Sequence, residues 1–149
     1  MSRVPDLIDA LVARLRTDEG LTGVGVTDGP EVTQEDADDW VLVGYDGDPS
    51  GVFQAAAAEE EWAGLGVSRE ESIQLPVSLL VRRGDAEVKA ARDRVYVLGD
   101  IVKAILRADP SIGLPGVQCA VGSTALFQTQ LADQGIQTRL VLALACRTI

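Results

Sequence analysis

Histidine is absent from this chain of 149 residues, and cysteine and aromatic residues are scarce. Without histidine, the usual general base near neutral pH is missing, as are Ser-His and Cys-His catalytic pairs and the commonest metal ligand. The two cysteines, Cys119 and Cys146, are too few for a disulfide scaffold and lack metal-ligand spacing. We expect both to be reduced packing residues in apolar strands, with a cross-strand bridge between them as the alternative. No run of about 18 apolar residues occurs, so the sequence predicts no membrane span.

The sequence also contains no complete catalytic or phosphate-binding motif. The segment from Gly23 to Gly29 superficially fits a glycine-rich loop, but Pro30 and acidic residues follow it where a phosphate site needs a helix N-terminus. Gly122-Ser123 lies inside a predicted strand with no base available. A hydrolase using two carboxylates is the one enzyme class left open, and nothing singles out its pair. We therefore predict that the protein is not an enzyme and has no catalytic, cofactor-binding or metal site.

Acidic residues outnumber basic ones by 23 to 13, which gives a net charge of −10. This charge argues against tight nucleic-acid binding, because phosphate contacts need clustered cations. It is also uneven, since residues 1–75 carry 17 acids and 4 arginines whereas residues 76–149 carry 6 acids and 9 bases. Two interpretations stay open. The fold either separates an acidic face from a near-neutral one, which suits stacking between unlike surfaces, or it merely solvates its charges unevenly.

Hydrophobic periodicity predicts one α+β domain spanning residues 1–149: a mostly antiparallel sheet, an N-terminal helix and one long helix packed on it, and a long C-terminal β-hairpin. The first helix covers about residues 4–17 and should end at Gly20. The long helix begins with Asp85 as its N-cap and stops at Asp109-Pro110. The hairpin strands cover about 117–131 and 136–148. The polar residues of its first strand suggest that part of the hairpin contacts a partner or lines an opening.

The middle of the chain is harder to assign. Residues 40–45 are predicted to form a strand, and residues 72–81 alternate as another strand, in which Pro76 predicts an edge position or a bulge. Residues 52–67 contain four alanines and three glutamates that would suit a helix, but Trp62 and the nearby glycines favour an extended strand or arm. We therefore expect an extended excursion over residues 46–71 that leaves the core.

Three segments and the order of elements resemble the tail terminator (tail completion, neck) family of long-tailed bacteriophages. The segments are Leu7-Ile8-Asp9-Ala10-Leu11, Trp40-Val41-Leu42-Val43-Gly44-Tyr45, and Glu61-Trp62-Ala63-Gly64-Leu65-Gly66 with Glu70-Glu71-Ser72-Ile73 following. The resemblance covers nearly the whole chain. It implies a virion protein, made in the host cytoplasm, that forms a hexameric ring on the head-proximal end of the tail tube. Such a ring stops tube polymerisation and docks to the head connector.

The resemblance also implies partners and interface residues. The partners are other copies of the chain, the tail tube protein and the head–tail connector or neck proteins; phage DNA passes through the lumen without specific binding. We expect intersubunit or tube contacts in residues 46–71 and in the loop at 110–116, and charge reversal of the glutamates should weaken assembly. The candidate interface residues are Glu59, Glu60, Glu61, Trp62, Leu65, Ile112 and Leu114. The alternatives are another neck or connector component, a tail tube subunit, or a small acidic protein-binding module that mimics DNA.

Overall fold

Two α-helices, a short 3₁₀ helix and six strands make up the part of the chain that the computed structural model describes, namely residues 2–31, 37–48, 54–62, 69–85, 87–131 and 135–148. In chain order, the main elements are α1 (Val4–Arg16), β1 (Gly25–Asp28), β2 (Asp39–Val43), β3 (Ala57–Trp62), β4 (Arg69–Arg83), α2 (Val88–Ala108), β5 (Val117–Gln130) and β6 (Ile136–Thr148). The 3₁₀ helix, Glu19–Leu21, follows α1. The predicted α+β class is confirmed.

The six strands form a single sheet in the order β1-β2-β4-β6-β5, with β3 added beside β4. Only β1 and β2 run parallel; the other neighbouring strands are antiparallel. β4 is the longest strand, and β2 and β3 lie end to end along one of its edges while β6 occupies the other. The predicted terminal hairpin is confirmed as β5 and β6, which carry one bulge between Val121 and Ser123.

Both helices pack on one face of the sheet, where the main hydrophobic core lies. Leu7, Leu11 and Leu15 of α1 recur every four residues and are fully buried, because that spacing places them on one side of the helix. The period-two residues of β4, from Ile73 to Val81, point to the same core and are 0–1% exposed. The alternation predicted for residues 72–81 is therefore confirmed.

A smaller cluster lies on the opposite face of the sheet, where neither α-helix covers it. It is built from Trp40, Leu42, Tyr45 and Leu80. The indole N–H of Trp40 donates to the Ala37 carbonyl (2.9 Å), so the ring's one polar atom is satisfied in a side chain that is 2% exposed. This cluster anchors the β1–β2 side of the sheet.

The predicted ends of both helices need correction. α1 ends at Arg16, before Gly20, because the Asp18 side chain accepts the Gly20 N–H (2.9 Å) and opens the 3₁₀ helix instead. α2 begins at Val88 with Glu87 as its N-cap, so the prediction of Asp85 as N-cap was wrong. The Asp85 carboxylate accepts the Glu87 N–H (3.2 Å), which closes a turn just before the helix.

Pro76 does not mark an edge or a bulge, as its sequence context predicted, but lies in the central strand β4. The Gly44 N–H donates to the Pro76 carbonyl (2.8 Å), so the backbone of Pro76 faces the β2–β3 side and not β6. β2 pairs with residues 77–81 and β3 with residues 69–74, which leaves Pro76 opposite the break between them. A missing N–H costs nothing there, since no ladder hydrogen bond would use it.

Cys119 and Cys146 lie directly opposite each other on β5 and β6, and both are buried free thiols. A hydrogen bond with Cys119, together with burial, raises the pKa of the Cys146 thiol. Because the thiolate is the reactive form, we expect iodoacetamide to alkylate Cys146 about 100-fold more slowly in the folded protein than in concentrated urea. Peptide-resolved mass spectrometry measures both rates. An Ala104→Cys variant, exposed on α2, is the control that should react at the unfolded rate; equal rates at both positions would contradict the burial.

Candidate assembly surfaces

β3 forms an exposed acidic edge on the sheet. Among the described residues it pairs only with the first half of β4, and all six of its residues are exposed. The helical alternative for this stretch was wrong over residues 57–62, and the extended one is confirmed there. The register places Glu60 opposite Glu71 and Glu61 opposite Glu70, and like charges directly opposite each other destabilise a strand pair.

Among the described residues, two arginines relieve part of this repulsion, and the Glu71 carboxylate accepts hydrogen bonds from the Ser2 hydroxyl (2.6 Å) and the Arg3 N–H (2.9 Å). Arg69 lies 3.8 Å from the Glu60 carboxylate, with both side chains about half exposed, and Arg147 pairs with Glu70. Exposed ion pairs of this kind contribute at most about 1 kcal/mol, so they offset little of the repulsion. Glu59 and Glu61 form no ion pair with the described residues, so the acidic edge is only partly compensated within one copy of the chain.

Trp62 ends β3 and is 62% exposed, the largest exposed fraction of any big apolar side chain in the described part. The Arg69 guanidinium lies over its ring, 5.0 Å from the centroid, which leaves much of the indole open to contact. Exposed tryptophans are typical anchors of protein interfaces. The predicted neighbour Leu65 lies outside the described residues.

The loop at 110–116 holds the other two predicted interface residues, but it turns them inward. Ile112 is 8% exposed, and Leu114 is half-buried against the main core. Ile112 adopts a φ of 51°, a strained conformation for a β-branched residue, with its side chain held in the core. Intersubunit or tube contacts are the prediction for this loop; within one copy, both side chains contact the protein's own core.

A groove of about 540 Å³ separates the last turns of α2 from the start of β5. Its α2 side is formed by Lys103, Leu106, Arg107 and Pro110, and its β5 side by residues 119–124. Lys103 and Arg107 form no ion pair with any carboxylate that the structure describes. Sequence reasoning missed this pair, although its spacing of four residues on a predicted helix already places both cations on one face.

β5 is the last strand of the sheet and leaves one edge open. The Cys119 N–H turns away from β6 and donates to the Pro110 carbonyl (2.8 Å), so the loop covers the beginning of this edge. Alternation along the strand, shifted by the bulge after Val121, then turns the backbone groups of Thr124, Leu126 and Gln128 outward as well. No backbone hydrogen bond within the described ranges reaches this second part of the edge. Open strand edges are templates for pairing with another chain.

A second hollow, of about 320 Å³, lies on the sheet face away from the helices. Arg139, the cation that lines this hollow, already has partners within the protein. Its guanidinium stacks 4.4 Å from the Phe127 centroid and donates a hydrogen bond to the Asp46 carbonyl (2.7 Å). The Asp46 carboxylate in turn accepts the Asp48 N–H (2.9 Å) in a local turn. These contacts hold the loop after β2 onto β6, which is a structural role.

Comparison with known proteins adds no functional assignment. No family model matches the sequence, and no curated protein is significantly similar to it. Within the described ranges, no group of three or more acidic or cysteine side chains is placed to hold a metal ion. None of the helices that the structure describes is both long and apolar enough to cross a bilayer. The acidic edge of β3 and the basic groove beside β5 are therefore the features that bear on function.

Proposed function

We propose that this chain is a structural virion protein of a bacteriophage tail, a terminator that forms a ring of six copies. The ring caps the head-proximal end of the tail tube, stops its polymerisation and presents the surface that docks to the head connector. The proposal starts from the family resemblance of the sequence. One structural observation supports it most: a single subunit carries two unlike, uncovered surfaces, one at the β3 edge of its sheet and one at the β5 edge.

A ring needs this kind of subunit. Closed rings with more than two copies use heterologous interfaces, in which one patch of a subunit meets a different patch of the next. Here β3 and β5 are separated by β4 and β6, so the two surfaces lie three strand spacings, or about 14 Å, apart across the sheet. Neither surface resembles the other, since one is acidic and the other is lined by Lys103 and Arg107.

The charge of the chain suits a passage for DNA. With a net charge of −10 per copy, a ring of six would carry a strongly negative field that disfavours phosphate binding. DNA would then pass through the lumen without specific contacts. The tail tube protein and the neck proteins are the protein partners in this proposal.

Native mass spectrometry of the purified protein, alone and after mixing with tail tubes that lack this component, tests the proposal. We expect a species of about 95 kDa, six times the 15.8 kDa chain, or tubes that carry the protein at one end only. Tubes that already bear their own terminator are the control and should bind none.

Two other outcomes would contradict the terminator assignment in different ways. Open-ended polymers of the protein alone would indicate a tail tube subunit. A stable monomer that binds neither tubes nor itself would favour an acidic protein-binding module.

A further inference from the structure

We infer that β3 of one copy adds as a strand to the open edge of β5 of the next copy, with its glutamates facing Lys103 and Arg107. This inference rests on the proposed ring and specifies how its subunits join. It names one acidic edge as the donor and one basic groove as the acceptor. A heterologous contact of this kind repeats from copy to copy until the ring closes.

The donor strand needs a new partner on both electrostatic and backbone grounds. Glu60 and Glu61 face Glu71 and Glu70 across the β3–β4 pair, and the two nearby arginines compensate only part of this charge. The other edge of β3 pairs with no strand in the part of the chain that the structure describes. Its six residues are all exposed, so nothing has to move to uncover them.

The acceptor has a matching length. The open part of β5, from Thr124 to Gln130, is seven residues long, against six in β3. The groove is lined by residues 119–124 and meets the open part of the edge at Thr124. The outward backbone groups of Thr124, Leu126 and Gln128 are the hydrogen-bonding partners that an added strand requires.

The charges match when the glutamate end of the added strand lies beside Thr124, where the groove that holds Lys103 and Arg107 meets the open edge. Side chains of a strand alternate between its faces, so Glu59 and Glu61 point one way and Glu60 the other. At least one glutamate therefore faces α2, the helix that carries Lys103 and Arg107. These cations have no carboxylate partner of their own among the described residues, so a neighbouring copy supplies the missing charge.

Mixing two charge-reversed variants tests the pairing directly. The first variant carries Glu59→Lys, Glu60→Lys and Glu61→Lys; the second carries Lys103→Glu and Arg107→Glu. Each variant alone places like charges across the contact, and we expect its fraction in rings to fall about tenfold or more by native mass spectrometry. An equimolar mixture restores opposite charges at every contact, so we expect rings with alternating copies, three of each. Misfolding of either variant could not produce this rescue.

A backbone variant separates strand addition from simple charge attraction. Thr124→Pro removes an outward N–H at a sheet edge, a position where folded proteins tolerate proline. It should keep the thermal melt of the wild type but lower the ring fraction about tenfold. The charge control is Arg14→Glu, which reverses an exposed cation on α1, a helix that packs against β1 and β2 and not β5, and it should leave rings intact.

The outcomes distinguish this inference from the proposed function. Suppose that the wild type forms rings. If either charge variant alone also forms them at the wild-type level, if the mixture does not restore them, or if Thr124→Pro leaves the ring fraction unchanged, the strand addition is overturned and the terminator proposal stands. A wild-type protein that assembles neither alone nor on tubes would overturn both.

Discussion

Replacing Asp39 with asparagine is expected to lower the free energy of unfolding by about 2–3 kcal/mol, because it removes the charge that pairs with two arginines. Asp39 begins β2, and its side chain is 11% exposed. Its Oδ1 accepts a hydrogen bond from Arg83 (2.7 Å) at the end of β4, and its Oδ2 accepts one from Arg94 (2.9 Å) on α2. One carboxylate thus ties two strands to the long helix.

The effect depends on pH in a defined direction. Burial alone would raise the pKa of Asp39, but the hydrogen bonds from Arg83 and Arg94 outweigh it and hold that pKa below its usual range. A depressed pKa stabilises the folded state at pH values above the unfolded pKa of about 3.9, and this contribution is lost as the pH falls through the lower folded value. The difference between wild type and Asp39→Asn should therefore be full at pH 7 and shrink below about pH 4.

Urea unfolding at pH 7 and at pH 3 measures this difference, and Asp93→Asn is the matched control. Asp93 also pairs with a cation, Lys89 at 2.5 Å, but their side chains are 57% and 77% exposed. An exposed pair of this type within a helix contributes about 0.5 kcal/mol or less. Equal losses in the two variants would show that the arrangement around Asp39 has no special energetic weight.

The Asp39 network illustrates which parts of the structure the sequence could not predict. Asp38-Asp39 is visible as a pair of acids, but Arg83 and Arg94 lie 44 and 55 residues away. Only the packing of β2, β4 and α2 brings them together. Local patterns, by contrast, need no such information: period-two alternation identified the core face of β4, and helical spacing identified the buried stripe of α1.

The wrong predictions for Pro76 and for Asp85 arose because only local residue preferences were visible in the sequence. Pro76 would disrupt a strand with continuous partners on both edges, and only the break between β2 and β3 makes a central position harmless. Asp85 has the residue type of an N-cap but instead closes a turn before Glu87. For Pro76, strands that are distant in sequence decide the outcome. For Asp85, a competing local hydrogen bond does.

The candidate surfaces divide similarly. The exposure of Glu59, Glu60 and Glu61 followed from their charge, because a run of acids is normally solvated. Ile112 and Leu114 belong to the loop at 110–116, for which the sequence analysis predicts intersubunit or tube contacts, yet the loop folds them onto the core. The open edge of β5 could not be predicted, since it depends on strand order, and strand order is set by long-range pairing.

Replacing Gly25 with alanine is expected to lower the free energy of unfolding by about 2–3 kcal/mol, because the new methyl group would overlap the Trp40 ring. Gly25 lies beside Trp40 in the parallel β1–β2 pair. A Cβ at Gly25 would lie 2.4 Å from Cε3 and 2.6 Å from Cζ3 of the ring, distances that no folded structure sustains. Trp40 has little room to withdraw, since it is 2% exposed and its indole N–H is bonded to Ala37.

A double variant and a matched glycine separate this overlap from a general effect of adding a side chain. Gly84 has open space around its Cβ position and no positive φ, so Gly84→Ala should change stability by less than about 0.5 kcal/mol. Trp40→Leu is destabilising by itself because it leaves a cavity, but combined with Gly25→Ala it removes the overlapping ring atoms. The stability loss of the double variant should therefore be smaller than the sum of the two single-variant losses by about 1 kcal/mol or more. Strictly additive losses in urea unfolding would show that the Gly25 methyl group does not meet Trp40, and that β1 shifts away from β2 instead.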